Sequence, residues 1–104
     1  MSVPQFTTPT LIFTFDDENL DLTQASQIIV SMESMGTRKQ IEKSGSDLVV
    51  EAKKVTIELS QEETSALSIG DVKMMINWVF ANGKRGASKK AIVNIEENLH
   101  RAVM

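Results

Sequence analysis

Apolar and polar residues alternate with a period of two along most of this chain, the pattern of strands that bury one face and expose the other. Leu11, Phe13 and Phe15 alternate with Thr10, Ile12 and Thr14, and Pro9 suits the first position of a strand. Ile28, Val30 and Met32 alternate with Ile29, Ser31 and Glu33 to predict a second strand. After the turn residues Ser34-Met35-Gly36, the stretch Thr37 to Lys43 predicts a peripheral strand anchored by Ile41. Ser44-Gly45-Ser46-Asp47 forms a turn cluster. Beyond it Leu48-Val49-Val50-Glu51, and then Val55, Ile57 and Leu59 against Thr56, Glu58 and Ser60, predict a fourth strand that either runs through or breaks in two.

Ser60-Gln61-Glu62-Glu63 has the form of a capping box, in which the serine hydroxyl accepts from the amide three residues on and the glutamate reaches back. A single helical turn near 61–67 should follow, with Leu67 plugging the end of the core. The strongest alternation comes next: Val72, Met74, Ile76, Trp78 and Phe80 against Asp71, Lys73, Met75, Asn77 and Val79. Asn82-Gly83 is the dipeptide best able to take positive φ, and Ala91, Val93 and Ile95 then alternate with Lys90, Ile92 and Asn94. This predicts a closing hairpin with its tip at Asn82 to Gly86. Glu96 to Met104 reads as a loose tail or a short terminal helix.

Strands at this spacing with one helical corner predict an all-β, antiparallel immunoglobulin-like sandwich of about six or seven strands, with the first and last strands near the edges. At 104 residues the chain suits a single domain with an ordered core over about 7–98. Its 41% apolar and 24% charged residues are those of a chain that folds alone. It contains no cysteine, which excludes disulfides, thiolate metal sites and thiol nucleophiles. The net charge of −3 offers no broad cationic field for phosphates, so nucleic acid is not an expected partner. Met1 to Phe6 lacks the basic and apolar pattern of a secretory signal, and no apolar run reaches the ~20 residues of a membrane span. The expectation is synthesis in the cytoplasm without Sec export or membrane insertion.

Candidate chemistry is sparse. Asp16, Asp17, Glu18 and Asp21 could offer oxygen ligands, but the spacing lacks the glycine and closing glutamate of a calcium loop and reads as a solvated acidic connector. His100 is the single histidine, without a triad or metal partner nearby in sequence. Glu62 and Glu63 are adjacent and would point apart, unlike the flanking carboxylates of glycoside chemistry. Trp78 shares a face with Val72, Met74, Ile76 and Phe80, so it reads as core rather than as a sugar platform. No cofactor, metal or catalytic residue is assigned. Two surfaces stand out. Met75, Val79 and Ile92 fall on the outward face, where polar residues are the norm, and form the candidate interaction face. Lys84, Arg85, Lys89 and Lys90 gather at the hairpin and are candidate polar contacts, against the plainer reading of a solvated tip that resists aggregation.

The segment Thr8-Pro9-Thr10-Leu11-Ile12-Phe13-Thr14-Phe15, the corner Val55-Thr56-Ile57-Glu58-Leu59-Ser60-Gln61-Glu62-Glu63-Thr64 and the closing hairpin together resemble small phage and prophage proteins of Gram-positive bacteria. The resemblance spans about residues 7–98; the Met74-Met75 pair and Asn98 to Met104 depart from it. It implies a non-catalytic tail or virion-associated protein with no catalytic residues to carry over, and partners among other phage structural proteins, further copies of itself, or the host surface. A glycan- or protein-binding module of the same fold is the alternative expectation.

Overall fold

The computed structural model describes residues 2–104, which form two open β-sheets and one short helix in a sandwich-like arrangement. The strands are β1 (Ser2–Pro4), β2 (Thr10–Thr14), β3 (Ala25–Ser34), β4 (Gln40–Ser44), β5 (Leu48–Glu51), β6 (Lys54–Glu58), β7 (Gly70–Phe80), β8 (Arg85–Ala87) and β9 (Ala91–Glu96). Helix α1 (Gln61–Ala66) joins β6 to β7. The larger sheet runs β1-β9-β7-β3-β4, with β8 also on β7, and the smaller one runs β2-β6-β5.

Alternation places one face of each strand inside. From the larger sheet Val30, Met32, Val72, Met74, Ile76, Val93 and Ile95 are buried; from the smaller, Leu11, Val55 and Ile57 meet them. Leu22, Leu48, Leu59 and Leu67, from the connections and strand ends, close the core. Phe13 and Phe15 pack against it on the inward side as the pattern requires.

The expected corner forms as read. The Ser60 hydroxyl accepts from the Glu63 amide at 3.1 Å and the Glu63 carboxylate accepts from the Ser60 amide at 2.9 Å. The fully buried Thr64 donates its hydroxyl to the Thr7 carbonyl at 2.9 Å, which ties the helix to the approach to β2.

Three expectations are corrected. Among the described residues the sandwich has nine strands rather than six or seven: the fourth strand takes the broken form, as β5 and β6 around Ala52-Lys53, and the two further strands, β1 and β8, are too short to show a period. The larger sheet is mixed rather than antiparallel: β1 lies parallel to β9, with Ser2 opposite Asn94 and Val3 opposite Ile95. β1 carries one buried apolar side chain, Val3, and so leaves no alternation to read. The closing hairpin also differs. Phe80 and Lys84 bracket a three-residue loop in which only Gly83 has positive φ, at 84°. This is a turn followed by a glycine bulge rather than an Asn-Gly turn with both residues at positive φ. β8 already begins at Arg85, within the expected tip.

A second irregularity keeps the hairpin in register with the core. The backbone of Ser88 donates to the Ile76 carbonyl, and Ala91 lies opposite Met74. Lys89 and Lys90 therefore face the single residue Met75, the two-against-one count of a β-bulge. Without it the one-residue slip would turn Val93 and Ile95 outward. Beyond β9 the chain forms no helix; Asn98 donates to the Gln5 carbonyl and Gln61 binds the backbone of Met104.

Candidate association surface

The outer face of the larger sheet is formed by alternate residues of β3, β7 and β9. On it Met75 lies opposite Ser31, Val79 opposite Gln27, and Ile92 opposite Lys73. All three candidate residues thus share one face, with Met75 and Val79 half-buried and Ile92 48% exposed. They do not form one cluster. Val79 is six positions along β7 from Lys73, the neighbour of Ile92, a separation of about 20 Å. The candidate interaction face is therefore a diagonal band rather than a single cross-strand patch.

Ile29 completes that band. It lies opposite Asn77, one step diagonally from both Met75 and Val79. Its outward position follows from the alternation in β3, but its place beside Met75 depends on the β3–β7 register, which a single sequence does not carry. An ion pair and a hydrogen bond lie along the band: Lys73 meets Glu33 at 3.8 Å, and Arg85 donates to the neutral Asn77 amide oxygen at 3.3 Å.

The four basic candidates separate. Lys84 and Arg85 lie at the hairpin turn, where the Lys84 amide donates to the Asn82 side chain. Lys89 and Lys90 sit on the bulge, and Lys90 lines a shallow hollow beside Met75 and Glu33. Trp78 faces inward, half-buried, with its ring 5.4 Å from Phe15 in an edge-on arrangement. Gly86 lies across from it, and a Cβ there would come within 2.5 Å of the indole nitrogen. The tryptophan therefore covers the glycine and offers no open stacking face on the outside of the sheet.

At one end of the sandwich a cleft of about 490 Å³ has Leu22, Ile28, Leu48 and Val50 among its walls, with Thr23, Ser26, Gln27 and Ser44 around them. It brings together the connection before β3 and the turn after β4, two loops that no sequence pattern pairs. Asp17 and Asp21 nearby are occupied with local backbone, accepting from Asn19 and Thr23. Among the described residues no three acids or histidines stand close enough together to hold a metal ion. His100 is exposed near the C-terminus.

One ionic contact crosses between the sheets' attachments. Lys43 of β4 meets Glu63 of α1 at 2.8 Å, both largely shielded from solvent. Burial acts to raise the Glu63 carboxyl, but the Lys43 ammonium and the Ser60 amide outweigh it and hold the group below the usual carboxylate range. The pair fixes the corner and, with Thr8, Thr10, Glu58 and Ser60, lines an open hollow of about 470 Å³.

The chain matches no family model and no curated protein.

Proposed function

We propose that this chain is a non-catalytic, immunoglobulin-like association domain of a phage or prophage particle, acting through the outer face of its larger sheet. The observation that carries the reading is the diagonal band of Ile29, Met75, Val79 and Ile92 on a face that would otherwise be polar. Strand order supports the immunoglobulin-like part. Lettered along the chain with β8 set aside, the smaller sheet reads B-E-D and the larger A-G-F-C-C′, the grouping of a variable-type sandwich with its first strand moved to G. The phage assignment rests on the sequence resemblance at Thr8–Phe15 and Val55–Thr64. Replacing Val79 and Ile92 together with lysine is expected to leave the fold intact and to weaken capture of virion proteins and incorporation into particles. Normal incorporation of the double variant would overturn the assignment.

The cleft favours a second reading, a module that binds host-surface glycan or protein, since its volume and mixed walls suit a small ligand. Backbone resonances separate the two. Shifts at Thr23, Ser44 and Leu48 on adding cell-wall polymer support the cleft, whereas shifts at Ile29, Met75 and Val79 on adding particle proteins support the sheet face.

A further inference from the structure

The strands at the rims of the two sheets differ in how they are guarded. β1 is three residues long and ends in Pro4, β4 carries Glu42 and Lys43, and β5 is four residues ending in Glu51. Short length, proline and charge are the usual means of keeping a sheet edge from pairing. β2 has none of them: Thr10-Leu11-Ile12-Phe13-Thr14 is uncharged, free of proline, and 56% of Ile12 is exposed.

The hydrogen-bond pattern shows which groups that edge presents. Leu59 donates to Pro9 at 3.1 Å and Phe15 donates to Lys53 at 2.8 Å, so the odd-numbered residues of β2 turn their backbone toward β6. The even-numbered ones, Thr10, Ile12 and Thr14, turn theirs away. Among the described residues β2 pairs with β6 alone.

We infer that two copies of this chain pair through β2, antiparallel, about a two-fold axis at Ile12. A two-fold interface demands a surface complementary to itself, and β2 meets that demand in three ways. Centring on residue 12 sets Thr10 against Thr14 of the second copy and Ile12 against Ile12, and these are the residues whose backbone groups face outward. Every pair then exchanges both of its hydrogen bonds. The side chains that meet on the solvent face are two threonine pairs and an isoleucine pair, all favourable cross-strand neighbours. Finally, Glu58 lies beside Thr10 and Lys54 beside Thr14, so each threonine row runs from a glutamate on one copy to a lysine on the other. The product is a continuous six-stranded sheet, β5-β6-β2-β2-β6-β5. The band on the larger sheet takes no part in it, and the inference does not rest on that band's function.

Sedimentation of the full chain over rising concentration tests it, together with two variants. Ile12→Pro removes the outward amide at the axis while sparing the bonds to β6, a position where an edge strand tolerates proline. Ile12→Lys keeps the backbone and sets two like charges against each other. A wild-type dimer, with both variants monomeric and Val79→Lys/Ile92→Lys still dimeric, is the expected result. Should the proline variant fail to fold, the lysine variant decides. The register has its own readout, because the chain lacks cysteine. Ile12→Cys would place two Cα atoms about 5.5 Å apart, within disulfide range, and should oxidise to a covalent dimer where Thr10→Cys does not. A wild type still monomeric at about 1 mM overturns the inference, as does a dimer indifferent to Ile12→Lys or one lost only in the Val79→Lys/Ile92→Lys variant. The last outcome would assign self-association to the outer sheet face.

Discussion

Two glycines and a tryptophan show how single residues set the closing hairpin. Gly83 holds φ at 84° where a β-branched residue would meet its own carbonyl, so Gly83→Val should cost on the order of 1–2 kcal/mol and lower the melting temperature. An unchanged melting temperature would place the strain elsewhere in the loop. Gly86 has ordinary φ and is small for a different reason, the indole of Trp78 lying where a Cβ would go. Removing the ring by Trp78→Ala opens a cavity beside Phe15 and should cost about 3 kcal/mol, at the low end for tryptophan because the ring is only half-buried. Fluorescence of the wild type should be blue-shifted; emission like that of free tryptophan in water would contradict the packing. The inward position of Trp78 was legible from its period with Met74 and Ile76. Its glycine partner was not, because pairing depends on a loop length that Asn82-Gly83 leaves open.

At the scale of elements, the sequence resolves what has its own period or its own chemistry. β2, β3, β7 and β9 announce themselves by alternation, and α1 by the reciprocal bonds of Ser60 and Glu63. β1 stays invisible, since Val3 is held by long-range pairing with Ile95. The bulge at Lys89-Lys90 is equally silent, being a consequence of matching Ile76 to Ser88 and Met74 to Ala91. The α1 corner gives a test with a definite sign. Glu63 titrates below its unfolded value, so its contribution to stability is present above the usual carboxylate range and is lost as pH falls through the depressed value. Glu63→Gln keeps an acceptor for the Ser60 amide but leaves Lys43 without its counter-charge. It should cost about 1–2 kcal/mol at neutral pH and should flatten the acid limb of the stability curve. Equal pH dependence in the variant and the wild type would mean that other carboxylates set that limb.

For the whole molecule, the order of strands predicts where stability is concentrated. β7 and β3 lie at the centre of the larger sheet, paired on both sides, and supply the completely buried Val30 and Ile76 with Met32, Val72 and Met74 at 1% exposure. Opening them exposes the core to water, so their amides should exchange only through global unfolding. β1 and β8 are three residues long and attached along one side, and they should open locally at much lower free energy. β2 is the informative case. In a monomer the amides of Leu11 and Phe13, bonded to β6, should be protected while those of Thr10, Ile12 and Thr14, which face outward, exchange rapidly. In the two-fold dimer the outward set gains partners and should slow with rising protein concentration, while β4 and β5, at the other rims, remain unchanged. Hydrogen exchange measured at two concentrations therefore reads the fold and the proposed assembly together. Rapid exchange along β7 would refute the central placement of that strand, and concentration-independent exchange at Ile12 would refute the pairing.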